Sequence, residues 1–599
     1  MRTLLTRVRP PWLKGYDGGG VLADVVAGLV LSVLLVPQAM AFALLAGLPP
    51  ETGLYTALIP PVLYALLGQC GSVSVGPVAL GSLLVADAIA GVDLPPLDAA
   101  AVVALEVGAM LTLLGACRLG RIVNFISEPA LLGFMAAAAV LIAVSQLPAF
   151  LGIEVDSASR LPGTLQALLA GGQPDLVTTA LGGSCLIALL AGGRYAGPLL
   201  GRLGLEGGLH LALARAVPLA VMVAASAVAA LVPLDVSHVQ EPGGGLPDIG
   251  LQVPGPAIWA ELFLPSLIIA VIVFVGGTAV AKSMPGATQR RVDTSREALA
   301  LGTANLAAGL TGGYAAGVSL SRSALVHDAG ARSPLATLVG ASLILPVLFY
   351  LAPVLAALPE AALAALVISA VAGLVKVDAI RDVLRQSRAE GLVVALTLLA
   401  TLGLGVRLGL LLGTVGGLAT FLWVSSLPRV AALGRTDREG IYRPAGSEGI
   451  TVDTLPILVL GIDRELYFGN VDHAEDLIGA LLSEHEGVRG VLFDMRAVSD
   501  VDVTAGRMLR SLIGRLRASG LVVGFAIVQR PVLAELRRAL PENSALVSLT
   551  VEEGVQALWR EIEHRDADAS AHDGDAHDGD GPGHSHRGDD DCPPRSPRA

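Results

Sequence analysis

The sequence predicts a polytopic α-helical membrane protein of about fourteen spans, followed by a small α/β domain. Three observations predict it. The 599-residue chain has a mean hydropathy of +0.68, with 53% hydrophobic and only 15% charged residues, more apolar surface than a water-soluble fold needs. Runs of about twenty apolar residues, enough to cross a hydrocarbon core of ~30 Å, recur through the first two thirds of the chain. Beyond Pro428 the pattern changes to a charged stretch and then to short apolar strands alternating with helical segments.

Residues 1–20 carry Arg2, Arg7, Arg9 and Lys14 ahead of the first apolar run. That run is long and is interrupted by Pro37 and Gln38 rather than ended by a small-residue cleavage site, so it reads as a span and not a signal peptide. The segment 1–20 is expected in the cytoplasm and the membrane domain over 21–428. Apolar spans fall near 21–48, 53–69, 77–91, 98–117, 130–149, 176–192 and 212–233. A second set falls near 260–281, 297–312, 321–332, 335–357, 361–375, 391–406 and 408–426, the weak one at 321–332 being invisible to hydropathy alone. Arg118 and Arg121, Arg194 and Arg202, Lys282, Arg290 and Arg291, Arg332, and Lys376, Arg381 and Arg385 occupy every second loop. Asp93, Glu154, Asp156, Asp235, Glu241, Asp248 and Glu360 occupy the others. This alternation is the positive-inside pattern of a cell-membrane protein with both termini cytoplasmic, Arg160 and Arg407 being exceptions.

Two stretches break the apolar runs. Ser72–Leu80 reads SVSVGPVAL. Gly76 tolerates an unusual backbone and Pro77 suits the first position of a helix, so Val78–Ala90 is expected as a helix too short to cross the bilayer. A helix that begins inside the membrane turns its first N–H groups and the positive end of its dipole toward a cavity, which makes an anion site. Val318–Leu325, VSLSRSAL, matches Val73–Leu80, VSVGPVAL, with Val, Ser, Ala and Leu at equal spacing. Paired interrupted segments in two halves of a membrane chain mark a transporter's midplane site. Chance likeness in a chain rich in Ala, Val and Leu is the competing explanation.

In the polar half, 429–450 reads as a linker and 451–563 as the α/β domain. Its strands are ILVLGI (457–462), VLFDM (491–495) and LVVGFAIV (521–528), with helices near 471–485 and 503–518. The stretch 564–599, rich in Asp, Gly, His and Pro, reads as a disordered tail. Much of the net charge of −12 lies in this C-terminal region and says little about a transported species. Cys70, Cys117, Cys185 and Cys592 show no paired spacing, and the first three read as buried free thiols. No nucleophile–base pair, metal-ligand spacing or phosphate-binding loop stands in an enzyme's context. Neither an enzyme, a cofactor, a metal nor a nucleic-acid partner is therefore expected, and solvation accounts for His572, His577, His584 and His586.

Four motifs in the right order, VPQAMAFALLAGLPPETGLYTALIPPVLYALLG (36–68), SVSVGPVAL (72–80), RLGRIVNFISEPALLGF (118–134) and GVSLSRSALVHDAGARS (317–333), resemble the sulfate permease (SulP) family of anion transporters. The polar half resembles that family's STAS domain, shared with anti-sigma-factor antagonists. The resemblance spans about 20 to 563. It implies fourteen transmembrane segments in two inverted repeats of seven, a core domain moving against a gate domain, a homodimer and a secondary active transporter. Sulfate leads the candidate substrates, with bicarbonate, chloride and C4-dicarboxylates as rivals and a channel as the mechanistic alternative. A membrane-anchored signalling protein, its α/β domain binding a cytoplasmic partner, is the alternative from another class.

On this reading Gln38, Phe42, the backbone of Ser74, Val75 and Gly76, and that of Leu320, Ser321 and Arg322 face one anion cavity. Gln38 offers amide donors, with helix–helix hydrogen bonding as the alternative. Two helix N-termini contribute about half an elementary charge each. Arg322 adds a full one, unless it pairs with another span or reaches the surface; a charge at mid-membrane costs at least about 2.5–3.5 kcal/mol. Phe42, one turn after Gln38, stands where the family more often has Tyr. Gly276, in VFVGGTAVAKS, stands where many bacterial relatives carry a coupling Asp or Glu. Glu106 is the candidate for proton coupling, a hydrogen bond to a neighbouring helix being as good an account of it. Asp87 reads as a solvated helix end. Thr504, in DVDVTAG (500–506), matches the phosphorylatable position of the antagonists, with helix capping as the better-supported role.

Overall fold

The computed structural model of the protein describes residues 18–121, 127–153, 173–204, 210, 213–214, 216–232, 235–239, 245, 254–284, 292–350, 356–436, 441–446, 455–539 and 546–575. The expected segment 1–20 falls almost wholly outside them, as do Arg160, Glu154, Asp156, Glu241, Asp248, Arg290, Arg291, Cys592 and three of the four tail histidines. The chain divides into two compact units, 1–420 and 421–599.

The first unit is helical. Its first half contains α1 (Gly18–Leu45), α2 (Pro50–Leu58), α3 (Pro60–Leu67), the short strand β1 (Val75–Gly76), α4 (Ala79–Ile89), α5 (Pro96–Ala116), α6 (Glu128–Ser145), α7 (Leu147–Leu151), α8 (Leu176–Arg202) and α9 (Val217–Leu231). The second half contains α10 (Pro256–Ser283), α11 (Thr294–Leu310), β2 (Gly317–Val318), α12 (Leu320–Asp328), α13 (Leu335–Ser342), α14 (Ile344–Tyr350), α15 (Glu360–Ala372), α16 (Val377–Gln386), α17 (Arg388–Leu404) and α18 (Val406–Ser425). Among the described residues seven helical stretches are long and apolar enough to cross a membrane, and Ala79–Ile89, Val217–Leu231 and Leu335–Tyr350 are shorter apolar ones.

Small residues decide which helices touch. Gly108 and Gly115 on α5 and Gly302 and Gly309 on α11, each pair a heptad apart, lie where the two helices touch. A Cβ at Gly108 would lie 2.5 Å from the Leu306 nitrogen, and one at Gly302 2.4 Å from the Thr112 nitrogen. The two backbones therefore approach as closely as small residues allow in membrane helices. Gly53 of α2 lies so near α1 that its Cβ would meet the Ala39 carbonyl oxygen at 1.9 Å. The span expected at 53–69 is two helices, because Pro60 and Pro61 bring no N–H donors to the helical ladder. Conversely, α1 is one continuous helix with Pro37 inside it, so the break expected at Pro37–Gln38 is absent. The weak segment near 321–332 is a helix of nine residues, α12.

Unit two holds β3 (Val430–Arg435), β4 (Tyr442–Pro444), β5 (Ile457–Ile462), α19 (Val471–Glu484), β6 (Gly490–Asp494), α20 (Val503–Ala518), β7 (Val522–Ala526), α21 (Arg530–Ala539), β8 (Leu546–Ser548) and α22 (Val551–Asp575). The six strands run in the order β4-β3-β5-β6-β7-β8, antiparallel through β3 and parallel from β5 onward. Both faces are covered, so alternate residues of one strand enter different cores. Leu458, Leu460 and Ile462 join Ala474, Ile478 and Leu509, whereas Ile457 and Val459 join Leu558 and Ile562 of α22. The stretch expected as a linker is partly sheet: β3 and β4 lie within 429–450, because β3 supplies β5 with an antiparallel neighbour. The tail expected to be disordered from 564 continues α22 to Asp575. Cys117 is an exposed thiol, not a buried one, because it ends α5, while Cys185 is buried.

Candidate functional site

The two matched octapeptides meet. β1 pairs antiparallel with β2, Val75 opposite Val318 and Gly76 opposite Gly317. Gly76 has φ 151°, a backbone region that favours glycine, and at Gly317 a Cβ would sit 2.8 Å from the Val78 Cγ2. The short strands thus lead the chain into α4 and α12 from one crossing. α4 begins at Ala79, after an extended Val78. Pro77 is therefore not the first helical residue, as expected, but lies in the crossing itself, where its carbonyl is free to accept.

Arg322 uses that carbonyl. Its guanidinium is wholly buried, with Nη2 donating to the Pro77 oxygen at 2.8 Å and Nε to Ser74 Oγ at 3.3 Å. Its Nη1 has no hydrogen-bond partner, and no carboxylate pairs with it among the described residues. An un-neutralised guanidinium in a membrane interior is costly unless an anion accompanies it. Serines hold the crossing. Ser319 Oγ caps α12 by accepting from the Arg322 N–H at 3.3 Å. Ser323 Oγ accepts from the Ser74 N–H at 3.0 Å and donates to the Ser319 oxygen at 2.6 Å. With that cap in place, the N–H groups of Leu320 and Ser321 are the unpaired donors of the first turn, and both residues are exposed.

Four further residues set the second stretch in place, none of them singled out in the sequence. Thr56 Oγ1 accepts from the Tyr314 N–H at 3.0 Å, and the Tyr314 hydroxyl meets Ser82 Oγ at 2.9 Å. Asn305 clamps Ala316 from both sides: its Oδ1 accepts from the Ala316 N–H at 2.8 Å and its Nδ2 donates to the Ala316 oxygen at 3.0 Å. An Asn eleven positions before the residue that it clamps carries no local signal.

Gln38 lies on α1, which packs on α12 and α4, and is 7% exposed. Among the described residues no hydrogen bond of its amide is seen, which leaves it available to a ligand. Phe42, one turn on, is buried in the cluster against which Ala79 and Leu83 of α4 pack. Ser74, Val75 and Gly76 are all buried at the crossing.

Gly276 stands beside Gly277, whose Cβ would come 3.3 Å from Val318 of β2, and a Cβ at Gly276 itself would meet nothing within 4 Å. The position expected to lack a coupling carboxylate is therefore open space. Glu106, 6% exposed on α5, faces Ser266 of α10, and its Oε2 has no partner. A second buried carboxylate escaped sequence reading: Glu297, in the first turn of α11, accepts from the Tyr64 hydroxyl at 2.6 Å. Asp24 is another, its carboxylate accepting from the Arg332 and Ser333 N–H groups at 2.6 and 3.2 Å. Asp87 is not simply solvated at its helix end. It pairs with Arg407 at 2.7 Å.

In the second unit Thr504 is exposed in the first turn of α20. It does not cap the helix, because Asp502 does, accepting from the Ala505 N–H at 2.8 Å. Near it, Ser499 donates to Glu465 at 2.6 Å, which holds that carboxyl below its ordinary range.

Residues 21–397 match the sulfate permease family and residues 450–554 the STAS domain. Probable sulfate transporter 4.2 of Arabidopsis thaliana is 30% identical over 545 residues, covering 88% of this chain and 79% of the relative. A probable sulfate transporter of Mycobacterium tuberculosis is 29% identical over 543 residues, covering 88% of this chain and 91% of the relative. Among solved structures, SLC26A9 superposes with a TM-score of 0.81 at 20% identity over 93% of each chain. The transmembrane domain of the cyanobacterial bicarbonate transporter BicA superposes with a TM-score of 0.55 at 20% identity, over 67% of this chain and 98% of that one. The chain belongs to the sulfate permease family of membrane anion transporters and carries that family's C-terminal STAS domain.

Proposed function

We propose that the protein is a secondary active anion carrier of the cell membrane, working by alternating access, with sulfate as its first substrate. The anion sits between the N-termini of α4 and α12, held by the N–H groups of Leu320 and Ser321, by the Gln38 amide and by the field of Arg322, with Phe42 as a wall. The observation that carries this reading is the buried Arg322 guanidinium, which has no carboxylate partner among the described residues and stands where two helix N-termini meet. Two half-charges and one full charge favour a small anion over a cation. The sulfate-transporter names of the sequence relatives support sulfate, and the bicarbonate transporter among the structural neighbours keeps bicarbonate as the first rival. Chloride and C4-dicarboxylates follow. Fourteen spans in two inverted repeats, both termini in the cytoplasm and a homodimer complete the reading. Glu106 is the proton-coupling candidate, and Thr504 a phosphorylation site through which the STAS domain regulates transport or recruits a cytoplasmic partner.

The test is sulfate uptake by purified protein in proteoliposomes, with bicarbonate, chloride and fumarate as competitors, with and without sodium and pH gradients. Saturable uptake lost in Arg322→Ala supports the carrier and its substrate. Uptake of another anion while sulfate neither enters nor competes replaces the substrate, and unsaturated electrogenic flux replaces the carrier with a channel. Silence for every anion favours the signalling alternative.

A further inference from the structure

Asp87 and Arg407 are each anomalous alone. Asp87 is a carboxylate near the end of an apolar half-helix, and Arg407 is a basic residue at the one end of α18 where the loop-charge pattern expects none. The fold brings them together across 320 residues of sequence. The Arg407 Nε donates to Asp87 Oδ2 at 2.7 Å, and its Nη2 donates to the Asp87 main-chain oxygen. That oxygen belongs to the last turn of α4, whose carbonyls have no partner within the helix and which carries the negative end of its dipole. A single guanidinium therefore grips both the carboxylate and the helix end.

The grip joins two sets of helices. α5 packs on α10 and α11, α4 on α10, and α1 on α2, α12 and α13, a set that contains the anion crossing. α6 packs on α17, and α8 on α9 and α15, a second set, which meets the first where α6 packs on α4 and where α15 and α9 pack on α1. α18 packs along the second, since at Gly409 a Cβ would meet Thr401 of α17, at Gly413 it would meet Thr397, and at Gly417 Ser127 beside α6, while Val406 and Leu410 at its start are buried in the cluster of the first. The N-terminal end of α4 is thus at the anion site and its C-terminal end is tied to the opposite set. A helix of 11 residues is about 16 Å long and moves as one piece.

We propose that the Asp87–Arg407 pair is a latch on the outer side of the transport path. It ties the two helix sets together in the conformation seen here and parts as they move past each other. The pair is half-exposed, with 39% of the arginine and 27% of the aspartate side chain accessible, so it is weak enough to break and re-form in each cycle. The inference rests on the carrier reading above, and its test separates the two.

In a parent with Cys70, Cys117, Cys185 and Cys592 replaced by alanine, Asp87→Cys and Arg407→Cys are combined and bridged with a short bifunctional thiol reagent in proteoliposomes. Bridging is expected to abolish anion uptake, cleavage of the bridge by reductant to restore it, and each single cysteine variant to be insensitive. Restoration by reductant shows that the protein stayed folded. Undiminished uptake with the bridge demonstrably formed overturns the latch. A cysteine-free parent that is well folded but moves no anion overturns the carrier reading instead. A second arm exchanges the charges: either reversal alone, Asp87→Arg or Arg407→Asp, is expected to slow uptake, and the two together to recover it.

Discussion

Ser74 and Ser319 stand opposite each other. They are the second residues of the two matching octapeptides, and one step along the antiparallel register from the Val75–Val318 pair sets them face to face, with the Ser319 N–H donating to the Ser74 oxygen at 3.1 Å. Equivalent residues that pair with each other are what a local two-fold axis produces. The same alignment puts Arg322 against Pro77, and Arg322 donates to the Pro77 oxygen. The likeness of VSVGPVAL and VSLSRSAL is therefore physical, since chance similarity carries no reason for the copies to pair in that register.

The two hydrogen bonds of Arg322 leave from different nitrogens of one planar group, a geometry that an ammonium does not reproduce. Arg322→Lys keeps the charge and loses at least one of them, which costs about 1.5–3 kcal/mol for a hydrogen bond to a charged group. Reduced thermal stability and residual uptake are expected in Arg322→Lys, against complete loss of uptake in Arg322→Ala. A lysine variant equal to the parent in both melting and uptake would show that the fork is unused.

Gly76→Ala places a side chain on a backbone with φ 151°. Space is not the obstacle, since the nearest atom to the new Cβ is Arg322 Nη2 at 3.5 Å. The strain is expected to destabilise by about 1–3 kcal/mol. Gly183→Ala, in a helix with nothing within 4 Å of its Cβ, is the control and is expected to stabilise by about 1 kcal/mol. Thermal unfolding of both variants beside the parent checks the difference, and equal melting would exclude backbone strain at the crossing.

How much of this was legible follows the range of each signal. Half-helices after a Ser- and Gly-containing break are local, and the octapeptide repeat points to the two stretches that pair as β1 and β2. What lay out of reach was set by tertiary contact. Tyr64 and Glu297 are 233 residues apart, Asp24 and Ser333 309, and Asp87 and Arg407 320. Hydropathy reads one helix at a time, so a buried acid shows as an anomaly without its partner. The error at 429–450 has the same origin: β3 and β4 are short and the chain from Arg435 to Glu439 is charged enough to pass for linker, so only their pairing reveals them.

Gly276→Asp tests whether the missing carboxylate is a matter of residue alone. Nothing lies within 4 Å of a Cβ there, and Gly277 beside it touches the β2 strand of the crossing. The variant is expected to fold like the parent and to make anion uptake respond to an inward pH or sodium gradient more steeply than the parent's does, because a carboxylate next to the site binds a cation or proton along with the anion. A well-folded variant whose gradient response in proteoliposomes equals the parent's would place coupling elsewhere and turn attention to Glu106.

Truncation separates the two units only if the cut respects the sheet. A stop after Ile450 keeps β3 but removes β5, its partner through Val430–Ile462 to Leu433–Val459. It leaves an unpaired edge and uncovers Ala432 and Leu433, now 6% and 7% exposed. Open edges of this kind recruit other chains. A stop after Ser425, at the end of α18, removes the whole sheet and leaves no such edge. The shorter protein is therefore expected to be monodisperse in size-exclusion chromatography, and the longer one to aggregate. With that difference established, anion uptake by the chain ending at Ser425 reports whether the STAS domain regulates transport or is required for it. The reverse result, a soluble 450 truncation beside an aggregated 425 one, would mean that β3 and β4 hold together without the rest of the sheet.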